Sequence, residues 1–211
     1  MNGPSAAAIP QGRLLSPPQM AEHLQAGGAA LLPTDTLPAL AVHSDQAGQI
    51  WQRKRRPPDK PLILMGADLE QLRTWLDVPW QEPWLQEARR HWPGAVTLVL
   101  PIRGAFTERL NPGGGSLGLR VPACPPMQEL LRLSGPLATS SANRSGLPAA
   151  TSAEQAAEQF PELPLLAPLP WPGASGRASS VWQWQGDLCP EKPWNVLRSG
   201  AVRPDGALGG G

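Results

Sequence analysis

At 211 residues with a formal net charge of +1, the chain can bury one sizeable core. It carries no global field that would draw it onto nucleic acid or membrane. No apolar run approaches a membrane span. The two cysteines, Cys124 and Cys189, have no CxxC or Cys/His ligand spacing, so a cytoplasmic protein with free thiols is expected.

In chain order, residues 1–13 are small and polar and read as a flexible lead-in. Ser16-Pro17-Pro18 starts a helix, with Ser as N-cap and Pro in the first turn, and Gly27-Gly28 ends it. Residues 29–33 form a short buried strand that runs into Thr34-Asp35-Thr36. Ser44 is placed to cap a second helix, in which Ala47, Ile50, Trp51 and Lys54 follow helical spacing. A strand is expected at 62–65, helices at 68–76 and 81–92, and a β-branched strand at 95–100. The stretch from 101 to 116 reads as a loop with a triple glycine at 113–115. After it come a strand at 117–122, a helix at 126–133 and a strand at 136–138 leading into Thr139-Ser140-Ser141-Ala142-Asn143. Ser152 or Thr151 caps a helix through Phe160. Residues 161–176 read as a long Pro/Gly-rich loop, 179–184 and 195–198 as the last strands, and 206–211 as a tail. The alternation predicts one α/β domain over 14–202, with a twisted mixed parallel/antiparallel sheet flanked by helices. Residues 1–13 and 203–211 would be tails. The polar clusters fall at strand ends, where a concave cleft is expected. Nine Trp beside two Phe and no Tyr suggest no function by themselves.

The most informative stretch is Lys54-Arg55-Arg56-Pro57-Pro58-Asp59-Lys60-Pro61. Its prolines rule out a solvated helix face, so it reads as a stiff loop presenting four cations just before a core strand. Such a loop suits a compact polyanion, although a plain charged surface loop has the same composition. There is no G-x-x-x-x-G-K-[ST] and no G-x-G-x-x-G, so a nucleotide site would use neither a Walker loop nor a Rossmann turn. The hydroxyls and amides of residues 139–146 suit the floor of a polar site or, more plainly, a capped polar turn. His23, His43 and His91 are isolated, no G-x-S-x-G elbow occurs, and no metal site is expected. Hydroxyls with cations favour positioning and charge stabilisation over acid/base chemistry.

These pieces, in this order, resemble the YrdC-like threonylcarbamoyl-AMP synthase family over about residues 14–202. The motif P-T-[DE]-T-x-Y-G-L appears as Pro33-Thr34-Asp35-Thr36-Leu37-Pro38-Ala39-Leu40. K-x-R-P-x-x-K-P-L is matched in full by residues 54–62, and S-A-N-x-S-G by residues 141–146. W-P-G-P-x-T appears as Trp92-Pro93-Gly94-Ala95-Val96-Thr97, R-x-P as Arg120-Val121-Pro122, and L-R-x-G as Leu197-Arg198-Ser199-Gly200. The resemblance implies a nucleotidyltransferase that makes threonylcarbamoyl-AMP and pyrophosphate from L-threonine, bicarbonate and ATP with Mg²⁺. Its product would serve tRNA threonylcarbamoyladenosine modification, with tRNA and a downstream threonylcarbamoyl transferase complex as partners. It also implies Lys54, Arg56 and Lys60 as catalytic cations. Arg56, Lys60, Ser116, Asn143, Thr151 and Arg198 would hold ATP, and Thr36, Arg120, Ser141 and Ser179 would hold threonine or its carbamate.

Two departures stand out. Tyr-Gly of the first motif is Pro38-Ala39, and the late S-T-V-[VI]-D is Ser179-Ser180-Val181-Trp182-Gln183, without its acid. A reshaped adenylate pocket is therefore expected. The competing reading is a divergent, non-catalytic, RNA-binding or ribosome-associated member that uses the same basic surface. A near-neutral chain without an aromatic-interleaved basic stripe argues against it. A carbamoyl-transfer role, as in hydrogenase-maturation proteins with such domains, lacks the accompanying zinc-finger and acylphosphatase-like segments.

Overall fold

The computed structural model describes residues 9–186 and 188–202. Its elements in chain order are β1 (Leu14–Leu15), α1 (Pro17–Gln25), β2 (Ala29–Leu32), β3 (Ala39–His43), α2 (Gly48–Lys54), β4 (Ile63–Met65), α3 (Leu69–Leu76), α4 (Glu82–His91), β5 (Val96–Leu100), α5 (Ala105–Leu110), β6 (Leu117–Arg120), α6 (Pro125–Ser134), β7 (Leu137–Ser141), α7 (Ala153–Gln159), β8 (Leu165–Leu166), β9 (Ser180–Trp184) and β10 (Trp194–Arg198). The strands form one sheet in the order β1-β8-β2-β3-β7-β4-β6-β5-β9-β10. Pairs β1/β8, β2/β8, β4/β6 and β5/β9 are parallel and the others antiparallel, so the sheet is mixed as expected.

Local chemistry sets the helix ends. Ser16 and Gln19 form a capping box, with Gln19 Oε1 accepting from the Ser16 backbone N–H. Asp68 accepts from the N–H of Gln71 at 2.8 Å, and Ser152 from that of Gln155. Ser44 does not cap a helix. It begins a 3₁₀ turn (Ser44–Gln46), and α2 follows from Gly48.

Strand alternation divides the core in two. Leu40, Val42, Leu64, Leu98, Leu119 and Trp182 face the side covered by α2, α3, α4 and α7, in one cluster with Ile50, Leu72, Trp84 and Phe160. Ala41, Met65 and Leu137 face the other side and pack with Met20 and Leu24 of α1 and Met127, Leu130 and Leu131 of α6. These two helices cover only part of that second face. The rest, over Ala39, Ser141, Thr139, Ile63 and Arg120, is left as a cavity. The cleft is therefore floored by a sheet face as well as rimmed by strand ends.

Several expectations are corrected. Ala39–His43, to which no element was assigned from sequence, is a central strand, and Ala105–Leu110 is a helix within the stretch read as loop. The Pro-rich stretch from 161 contains β8, which joins β1 to β2. Thr139-Ser140-Ser141 belongs to β7 and not to a turn. Residues 9–13 are attached rather than free. Arg13 donates through Nη2 to the carbonyls of Phe160 (2.8 Å) and Leu163 (2.7 Å), in the turn that follows α7. The expected tails at 1–8 and 203–211 lie outside the described residues. Four of the tryptophans are structural. Trp84 packs edge-on against Trp80 and Trp184, and Trp184 against Trp194.

Candidate functional site

The cavity has a volume of about 300 Å³. Thr36, Pro38, Ala39, Arg56, Arg120, Ser141, Asn143, Ser179 and Arg198 line it, together with Ile63, Met65 and Thr139 from the sheet. Of the residues singled out from sequence, the structure thus brings Thr36, Arg56, Arg120, Ser141, Asn143, Ser179 and Arg198 together. Lys54, Lys60, Ser116 and Thr151 do not line it.

Arg120 ends β6, between β4 and β5, so it is a central residue and not an edge one. It is 2 % exposed. Its Nε donates to Gly94 O at 2.9 Å, Nη1 to Thr36 Oγ1 at 2.8 Å and Nη2 to Asp35 Oδ1 at 2.6 Å. Burial lowers the Arg120 pKa, and Asp35 opposes that shift. A guanidinium has five N–H donors, so one on each Nη remains for a planar acceptor in the cavity. Thr36 is fixed in turn, since Thr34 Oγ1 accepts from its backbone N–H at 3.0 Å. Asp35 was missed as a site residue. The signal was available: an acid between two threonines of a motif whose site also needs a buried arginine.

The basic stretch does not present its cations together. Lys54, the last residue of α2, is 2 % exposed and among the largest fully buried side chains of the protein. Its Nζ donates to Asn143 O (2.6 Å), Ser141 O (2.5 Å) and Asn143 Oδ1 (3.1 Å). Arg55 then takes the left-handed conformation (φ 52°) and turns the chain out of the helix. The turn brings Arg56 to the cavity, where its Nε is buried without a hydrogen-bond partner among the described residues. Its Nη2 is steadied by Lys60 O at 3.1 Å. Lys60 itself is exposed at the surface, and its backbone carbonyl accepts from Arg56 Nη2 and Trp51 Nε1. The helix end explains the difference. A lysine inside the last turn is carried under β7, whereas residues beyond the αL turn are free to face outward.

Across the cavity, Ser179 Oγ lies 2.9 Å from Thr97 Oγ1 and accepts from Arg198 Nη2 at 3.2 Å. Arg198 Nε also holds Ser179 O at 3.0 Å. Ser180 knits this corner. Its hydroxyl accepts from the N–H groups of Gly200 and Val202 and donates to Val202 O. Gln183, where the resembling motif has an acid, is not among the lining residues, so that departure leaves the cavity wall intact. Pro38 and Ala39 do line it, so the other departure is felt there. Pro38 also borders a second cavity of about 170 Å³, lined by Thr34, Thr151, Ser152 and Trp171 among others. Thr151 is therefore next to the first cavity and not in it. Ser116 sits before β6 with its carbonyl held by Asn111 Nδ2 at 2.8 Å.

A family model designated Sua5_yciO_yrdC and described as "Telomere recombination" matches residues 22–200. The chain is 39 % identical over 147 residues to a threonylcarbamoyl-AMP synthase of Bacillus subtilis, a match covering 67 % of this chain and 42 % of that protein. It is 34 % identical over 148 residues to one from Stutzerimonas stutzeri, covering 68 % and 79 %. The solved structure of Pyrococcus abyssi Sua5 complexed with L-threonine aligns with a TM-score of 0.78 at 28 % identity, over 90 % of this chain and 58 % of that one. Escherichia coli YciO has the same fold, with a TM-score of 0.73 at 22 % identity over 89 % of this chain and 94 % of that one. The chain thus spans less than half of the Bacillus relative. No described helix is long and apolar enough to cross a membrane.

Proposed function

Because the chain belongs to the family of Sua5, YciO and YrdC proteins, we propose that it makes threonylcarbamoyl-AMP from L-threonine, bicarbonate and ATP. The threonine amine and bicarbonate lose water to form a carbamate. A carbamate oxygen attacks the α-phosphorus, and pyrophosphate leaves in line. The protein's share is alignment and charge stabilisation. The two unused N–H donors of Arg120 suit the threonine carboxylate, with Thr36 beside it. Arg56 and Arg198, which both line the cavity, suit the phosphates, and the exposed Lys60 suits the departing pyrophosphate. The nucleoside extends past Pro38 toward Thr151 in the second cavity.

The observation that carries this reading is the convergence of three guanidinium groups, Arg56, Arg120 and Arg198, on one cavity. Arg120 is paired with Asp35, which leaves Arg56 and Arg198 as the lining cations without a carboxylate partner among the described residues and so suited to phosphate. The lining residues do not fit a protein-held Mg²⁺, because none is a carboxylate. Among the described residues no group of three or more His, Cys, Asp or Glu side chains converges. Mg²⁺ is therefore assigned to the triphosphate, and no step is routed through a protein-bound metal.

The test is pyrophosphate release from ATP, Mg²⁺ and bicarbonate with and without L-threonine, for wild type and Arg56→Ala. Threonine-dependent release that the substitution abolishes is the expected result. Absence of threonine-dependent release at stoichiometric enzyme concentrations would overturn the proposal.

A further inference from the structure

The side chains of Lys54 and Asn143 spend their hydrogen-bonding capacity on each other and on the 141–147 segment. The Lys54 ammonium has three donors and meets three good acceptors, Ser141 O, Asn143 O and Asn143 Oδ1, with Ser141 Oγ further off at 3.5 Å. The Asn143 side chain is equally full. Its Oδ1 accepts from Lys54 Nζ and from Ser141 Oγ (2.6 Å), and its Nδ2 donates to Arg144 O (3.1 Å) and Leu147 O (2.9 Å). The backbone adds one more tie, with Ser145 N–H donating to Lys54 O at 2.8 Å. The last residue of α2 therefore grips the 141–145 turn through both its side chain and its main chain. Ser141 and Asn143 of this turn line the same cavity as Arg56.

We infer that Lys54 is a positioning residue, which locks the Ser141–Asn143 turn against α2 and so fixes that wall of the cavity, and that it touches neither ATP nor threonine. This rests on the function proposed above, but its structural half can be tested apart from that function. It also divides the basic stretch by role. Lys54 acts inward and Arg56 acts on the ligand, with the αL residue Arg55 as the divide.

The experiment is a double-mutant cycle of Lys54→Met and Asn143→Ala on pyrophosphate release, with hydrogen exchange of both single variants. If both residues act through one turn, the double variant is within about twofold of the worse single one. If Lys54 reaches the nucleotide by itself, the two losses multiply, and that result overturns the inference. Hydrogen exchange gives the activity-independent readout. Amides of residues 141–147 should exchange roughly tenfold faster in Lys54→Met, with those of β6 unchanged. Unchanged exchange over 141–147 would also overturn it. Lys54→Gln, which keeps two donors, covers the case in which Lys54→Met does not fold. It should restore part of the protection and part of the rate together, and a rate restored without the protection would contradict the inference. Should wild type show no threonine-dependent release, the exchange result still decides the structural half.

Discussion

Arg120 and Asp35 form an ion pair at 2.6 Å with side chains only 2 % and 15 % exposed, and it joins the end of β6 to the segment before β3. Removing one partner of such a pair leaves the other charge buried and uncompensated. Asp35→Ala is therefore expected to cost about 3–5 kcal/mol of stability, read from the urea midpoint. Asp35→Asn keeps an acceptor for Nη2 and should lose clearly less. Equal losses in both variants would show that the pair's charge contributes little.

Lys54 supplies a pH prediction in which stability and activity move in opposite directions. Burial, and next the charge of Arg56, lower its pKa to about 7. The unfolded value is about 10.4. Between the two, the unfolded chain holds a proton that the folded chain releases, so this group's contribution to stability rises with pH. Below pH 7 the lysine is charged in both states and its contribution is flat. Activity should fall above pH 7, because a neutral amine turns a lone pair toward one of three oxygens. In Lys54→Met, the slope of unfolding free energy against pH from about 7 to 10.4 should be smaller by this one group. An unchanged slope would mean that the lysine titrates alike in both states.

Ser179 holds Arg198 through its hydroxyl, while its carbonyl holds the same guanidinium independently. Ser179→Ala removes one bond to a charged group, worth about 1.5 kcal/mol, or roughly tenfold. The expected effect is a rise of that size in the KM for ATP with little change in kcat. A rise confined to the KM for threonine would place the hydroxyl on the amino acid instead.

Trp84 is 4 % exposed and touches Trp80 and Trp184 edge-on, on the sheet face away from the cavity. Trp84→Ala should cost about 3–5 kcal/mol on thermal or urea unfolding. In the folded variant, KM values should be unchanged. A change in KM would show that the tryptophan cluster communicates with the site.

The sequence by itself determined the α/β class, the mixed sheet, the helix start at Ser16, a cap at Thr151 or Ser152, and seven of the residues that line the cavity, Thr36, Arg56, Arg120, Ser141, Asn143, Ser179 and Arg198. Those signals are local. A cap needs its side chain a few residues from the amide it binds, and a motif survives as a short run. The strand at Ala39–His43 and the short β1 and β8 were not legible, because two to five apolar residues become a strand only when partners hydrogen-bond to them. The direction of the basic stretch was likewise beyond reading. Sequence places Lys54 and Arg56 two positions apart as equivalent cations. Tertiary structure alone ended α2 at Lys54, reversed the backbone at Arg55, and set three oxygens of a turn almost 90 residues away around one ammonium. The same holds for Arg120, which reads as a surface charge until β4 and β5 close on either side of it and Asp35 becomes its buried partner. Burial and pairing across the chain, and not residue type, decide which charges meet a ligand.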